Sequence, residues 1–233
     1  MSKWRTMNFN IKFLLLNTAF VASYAFGMEA PDTIVENYEN FIRRTSTKQL
    51  LKNHSVNPEL KQLIDQNLPS GFNHVAAFPW LPEYIMKKDA FRIFGSLYIK
   101  ACAHQNNCDA VSCPDKFIYS APNGTQYIIA KKIIPNNKPL SLNQVKQLYK
   151  IAKKTGYRDL HNGNIMNTDS GIMYIIDTEA SSFCSEYHFV DIKAIVISQL
   201  MYMYNSLDFN AGQWLKEKKW AKVLERKKLA ARL

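Results

Sequence analysis

Three absences bound this chain before anything present in it is read. There is no Cys-x-x-Cys pair among Cys102, Cys108, Cys113 and Cys184, and His104 is the one histidine near the first three, so a structural zinc site has no adequate fourth ligand. There is no Gly-x-Gly anywhere in the 233 residues, so a flexible glycine-rich loop over a phosphate has no counterpart. No Glu lies between Glu83 and Glu179, so a Lys in that stretch has no local Glu to pair with. Long apolar runs are also missing: the longest, within residues 13–27, is roughly 14 mostly apolar residues, short of the ~20 that span a bilayer.

That run follows Lys3, Arg5 and Lys12 with no acid among them, and it ends in small residues, Ser23-x-Ala25 or Ala25-x-Gly27. A basic start, an apolar core and a small-x-small exit describe a secretory leader over residues 1–27, with an uncleaved anchor or a buried helix as alternatives. Export to a periplasm or to the medium after cleavage is the expectation, and four cysteines are compatible with an oxidising compartment. A disulfide among the cysteines and free buried thiols are both open. The formal net charge is +11, but the leader and the run from Lys216 to Arg232 carry much of it. The body between them is only slightly basic, and no specific nucleic-acid partner is expected. Residues 213–233 read as a basic terminal helix or tail with Trp214 and Trp220 interleaved. Its basic face is either solvated or in contact with an acidic or membrane surface.

Residues 28–68 carry helical periodicity through Ile34, Tyr38, Phe41 and Ile42 and again through Leu50, Leu60 and Ile64, with Ser55 or Asn57 as a cap, and form an N-terminal helical extension. Residues 69–212 read as the main domain. It contains a strand at 84–87, a helix at 90–104, strands at 111–119 and 127–134 joined by Pro122-Asn123-Gly124, and a helix at 141–154. A core helix at 189–204 follows, with Asp191 as its cap or as a tether to the loop before it.

The chemistry concentrates in Gly156-Tyr157-Arg158-Asp159-Leu160-His161-Asn162-Gly163-Asn164-Ile165-Met166 and in Met173-Tyr174-Ile175-Ile176-Asp177-Thr178-Glu179. Asn167-Thr168-Asp169-Ser170-Gly171 is a turn signal, so the flanking segments pair as a hairpin that brings Asn164 towards Asp177. An Asp on a tight loop can take or orient a hydroxyl proton. An Asn amide oxygen and a second Asp can hold Mg²⁺ against nucleotide phosphates.

Arg-Asp-Leu-x-x-x-Asn-Ile resembles the protein-kinase catalytic loop, and Asp-Leu-His-x-Gly-Asn-Ile is similar to the loop of aminoglycoside and choline phosphotransferases. The order of elements over residues 84–179 is similar to the kinase fold. The resemblance implies an α+β class with a two-lobed protein-kinase-like fold, a reduced small lobe and the helical extension in front. It implies Asp159 as the catalytic base or orienter, Asn164 and Asp177 as metal ligands, Lys87 as the cofactor-binding residue with Lys88 as fallback, and ATP and Mg²⁺ as cofactors. His161 is then architectural, and Arg158 binds an anion, orients Asp159 or lies on the surface. Glu179 approaches a second metal or pairs with the tail. The implied function is an exported phosphotransferase moving a nucleotide phosphoryl group to a hydroxyl acceptor. The alternative is a pseudokinase acting as a binding module, because the glycine loop, the helix Glu and the Ala-Pro-Glu segment are missing. Without that Glu, Asp177 is the carboxylate left to orient Lys87.

Overall fold

Gln126–Lys131 (β5) has four buried residues between two exposed ends, as expected of a strand covered on both faces. In the computed structural model it lies between Leu81–Lys88 (β2) and Lys116–Ser120 (β4), with Ala76–Phe78 (β1) beyond β2, in an antiparallel sheet of order β1-β2-β5-β4. The structure describes residues 34–45, 47–72, 75–183 and 192–230, so the leader expected over 1–27, Cys184 and Asp191 lie outside it. Successive side chains of a strand point to opposite faces, and β5 therefore feeds two cores. Tyr127 and Ile129 join Met86, Tyr119, Leu81, Phe72 and Ile64 on one side. Ile128 and Ala130 join Ile118, Ile93, Phe94 and Leu50 on the other. Each aliphatic side chain so buried contributes about 1.5–3 kcal/mol relative to exposure.

Among the described residues three helices precede the sheet, Ile34–Arg44 (α1), Thr47–His54 (α2) and Pro58–Asn67 (α3). Asn57 caps α3, its side chain accepting from Leu60 N at 2.8 Å, and Ile64 of α3 is fully buried beneath the sheet. The helix Arg92–Gln105 (α4) covers the other face. The strand expected over 111–119 is two strands. Val111–Ser112 (β3) pairs in parallel with Met173–Ile175 (β7), whereas β4 begins at Lys116 in the first sheet. Pro114 lies in the gap, and a residue with no N–H cannot hold a ladder through it.

Leu142–Thr155 (α5) opens with a capping box. Ser141 accepts from Gln144 N, and Gln144 Oε1 accepts from Ser141 N at 2.8 Å. It stops at Gly156, whose φ of 72° is left-handed and turns the chain into the motif loop. Ile165–Asn167 (β6) and β7 then form the expected hairpin, in a small sheet of order β3-β7-β6. Ile192–Tyr202 (α6) and Phe209–Ala230 (α7) complete the fold. Residues of α4, α5, α6, α7 and the hairpin share the largest core, which Tyr38 of α1 enters by stacking on Phe183 at 4.4 Å. The described residues from Val35 onward belong to one compact unit, α+β in class.

α7 begins ahead of residue 213 and is anchored: Ala211 and Leu215 are fully buried, and Trp214 lies edge-on to Tyr149 at 5.5 Å. Trp220 is exposed. Among the described residues no helix is long and apolar enough to cross a membrane. Cys102, Cys108 and Cys113 are free and buried, and burial raises their thiol pKa values.

Candidate functional site

The loop after α5 is tied down from beneath. Tyr157 is fully buried and its hydroxyl donates to the Asp177 carbonyl at 2.6 Å, while Arg158 N donates to the Ser182 carbonyl at 2.8 Å. Burial pushes the Tyr157 phenol far up, so it remains a donor. These bonds turn Asp159 outward with a side chain 43% exposed. Asn164, only 7% exposed, donates its amide to Asp159 Oδ2 at 2.7 Å and to the Asp159 carbonyl at 3.2 Å. Ser182 Oγ lies 3.4 Å from the same carboxylate oxygen.

His161 is architectural. Its Nδ1 accepts from Gly163 N at 3.0 Å, which leaves Nε2 to carry the proton towards Asp159 Oδ1 at 3.5 Å. A Cβ at position 163 would stand 2.8 Å from the His161 ring, so a larger residue there would displace that ring. Arg158 directs a guanidinium nitrogen at the Ser181 carbonyl, 3.2 Å away.

The hairpin register carries the next link. Ile176 N donates to the Asn164 carbonyl at 2.9 Å, so Asp177 is the residue directly after the one paired with Asn164. Lys87 Nζ reaches Asp177 Oδ2 at 3.8 Å from the end of β2. The neighbouring Lys88 is exposed. Burial lowers the Lys87 pKa, and Asp177 opposes that shift.

Arg92, at the first position of α4, forms the centre of the ionic cluster. One guanidinium nitrogen binds Asp177 Oδ1 and the other binds Glu179 Oε1, while Nε stands 3.9 Å from Asp89 Oδ2. Glu179 thus meets α4. The turn that aims Arg92 is built on Asp89, whose φ of 89° is left-handed and whose carboxylate accepts from Phe91 N at 3.0 Å. Thr178, fully buried, donates to the Arg92 carbonyl at 2.6 Å and accepts from Lys116 Nζ at 2.6 Å. Lys116 is 5% exposed, and burial brings its pKa down to about 8. The segment 177–183 also approaches α4 closely at Gly95, where a Cβ would stand 2.5 Å from the Thr178 carbonyl and 2.7 Å from the Phe183 ring.

The sequence-predicted residues therefore gather in two groups, Asp159 with Asn164 and Lys87 with Asp177, joined through the main chain of β6 and β7. Arg92, Lys116, Thr178 and Gly95 were missed. The one signal was the absent Glu: the charged residues of α4 are Arg92 and Lys100, so any ion pair from that helix to the motif had to be basic. Among the described residues no cluster of three or more His, Cys, Asp and Glu could hold a metal ion. Of the residues expected to hold one, Asn164 uses its amide nitrogen on Asp159 and has its amide oxygen to offer, and the Asp177 carboxylate is engaged by Arg92 and Lys87. Compared with protein-family models, with curated proteins and with solved structures, the chain has no match in any of the three.

Proposed function

We propose that this chain has a two-lobed protein-kinase-like fold and binds a nucleotide where the lobes meet, as a phosphotransferase acting on a hydroxyl acceptor. The first sheet with α4 is its small lobe, and α5, α6, α7 and the hairpin are its large one. The observation that carries this reading is the meeting of Lys87 with Asp177 at 3.8 Å, a strand-end Lys and a hairpin-end Asp brought together from 90 positions apart (177 − 87). That pair is what a phosphate-binding Lys and a metal-holding Asp require.

In this reading Asp159 orients the acceptor hydroxyl and takes its proton on Oδ1 or Oδ2. Its half-exposed carboxylate, supported by the neutral donor Asn164, suits that work. Lys87 meets phosphate oxygens as a point charge. Asn164 and Asp177 are the residues that would hold Mg²⁺, a donor set that fits an ion keeping several waters and phosphate oxygens once Arg92 has left Asp177. When bound, the ion supplies charge neutralisation along the phosphates. A second reading, a binding module without turnover on the same fold, is favoured by one observation: Arg92 spans Asp177 and Glu179.

The test uses the full chain. ATP should raise its melting temperature, and Lys87→Met should reduce that rise. Asp159→Asn should keep binding and lose transfer to sugars, aminoglycosides or protein acceptors. An unchanged melting temperature at millimolar ATP rules out the nucleotide site. Binding without transfer by the wild type supports the binding module.

A further inference from the structure

In the cluster around Asp177 the side-chain cations Lys87, Arg92 and Lys116 stand among the carboxylates Asp177, Glu179 and Asp89, so the charge is balanced before any ligand arrives. A dication is drawn to carboxylates whose charge is uncompensated, and here it would meet two fixed positive charges at the same oxygens. The Arg92 main chain is pinned. Its carbonyl accepts from Thr178 at 2.6 Å and faces Lys116 Nζ at 3.5 Å, and one turn on, Gly95 leaves no room between α4 and the Thr178 carbonyl. Only the side chain can give way. It is not fully satisfied where it stands, because Nε is buried without a hydrogen-bond partner and is 3.9 Å from Asp89 Oδ2. A buried unpaired donor costs free energy that a further acceptor recovers.

We propose that Arg92 is the resident cation of this site and a specificity-determining residue for its ligand. It holds Asp177 and Glu179 against a free divalent ion, and a metal-bound polyphosphate enters by exchange, Asp177 passing to the metal and Arg92 to a phosphate oxygen. The proposal rests on Asp177 belonging to the nucleotide site. It predicts that the chain alone ignores divalent ions and that removal of Arg92 creates affinity for them.

Mn²⁺ binding, read from loss of the free-ion electron paramagnetic resonance signal in the absence of nucleotide, tests it. The wild type should leave the signal close to that of buffer. Arg92→Gln should bind one Mn²⁺ at least about tenfold tighter, a floor set below the contact-distance repulsion between a dication and one side-chain cation, which exposure and salt reduce. Asp177→Asn added to Arg92→Gln should abolish the gain. Arg92→Lys, which keeps the charge but cannot span two carboxylates, should fall between, and it decides the matter if Arg92→Gln does not fold. Equal Mn²⁺ affinity with and without Arg92, or a gain that persists in the Asp177→Asn background, overturns the proposal. ATP melting shifts measured in parallel judge the nucleotide site separately: no shift in any variant ends that reading, while the Mn²⁺ comparison still decides the role of Arg92.

Discussion

The loop 157–164 and the strap 177–183 converge from the two sides of one hairpin, yet different forces hold them. The loop is held by neutral donors. Asn164 and Ser182 meet Asp159, Gly163 N meets His161, and the Asp159 side chain stays 43% exposed. The strap is held by ions and by close packing. Arg92 and Lys87 take the oxygens of Asp177, which is 24% exposed, and Gly95 admits the Thr178 carbonyl where no Cβ would fit. A neutral hydrogen bond positions a carboxylate without cancelling its charge, whereas a guanidinium cancels the charge it positions. The charge of Asp159 is thus left uncompensated, and that of Asp177 is cancelled by its partners.

The largest expected effect tests whether close packing holds the strap. Gly95→Ala should destabilise the chain by about 3 kcal/mol in chemical denaturation, since the clash is with main chain and the helix-propensity gain of about 1 kcal/mol does not offset it. A cost near zero would show that the strap is not fixed by that contact.

The next effect tests the ionic side through pH. Lys116 titrates at about 8 in the folded chain against 10.5 as a free side chain, so between those values the unfolded chain binds the extra proton. Stability contributed by this group is therefore lowest below pH 8 and rises as pH rises. The thiols of Cys102, Cys108 and Cys113 and the phenols of Tyr38, Tyr98, Tyr119 and Tyr157, raised by burial, pull the other way at alkaline pH, so the measurement is a difference. The stability of wild type minus that of Lys116→Met should grow by about 2 kcal/mol from pH 7 to pH 10. A flat difference would mean Lys116 is not held as a buried cation.

On the loop side the effects are smaller. Asn164→Ala should cost about 1–2 kcal/mol and loosen amide-exchange protection in residues 157–164 while leaving the strap protected. Equal loosening of both segments would erase the distinction between them. His161→Ala should cost less than about 1 kcal/mol, because its two contacts lie at an exposed position. A larger loss would mean that His161 supports more than the Gly163 turn.

Much of the scaffold was legible because its signals are local. Pro122-Asn123-Gly124 turns β4 into β5, Gly171 with φ of 78° closes the β6–β7 turn, and Asn57 caps α3. The helix expected at 141–154 is α5, Leu142–Thr155, with Val145, Leu148 and Ala152 fully buried. The division of 111–119 between two sheets was not legible, since both halves have strand composition and only their partners, β7 and β5, separate them. Within the candidate site, Asp159 and Asn164 were singled out by the motif they share, and the hydrogen bond between them came only with the structure. Arg92 was not, because its partners lie 85 and 87 positions away.

The sequence by itself determined most of the order of the elements, which residues carry acid, amide and ammonium chemistry, and the hairpin that pairs Asn164 with Ile176, the residue before Asp177. Capping, turn formation and the two-residue period of a hairpin act over a few residues, so local order decides them. Only the tertiary structure decided which charges are free. The packing of α4 on the strap brings Arg92 to Asp177 and Glu179 and seals Lys116 beneath Thr178. Coulomb attraction and desolvation depend on distance in space and on access to water, and spacing along a chain encodes neither.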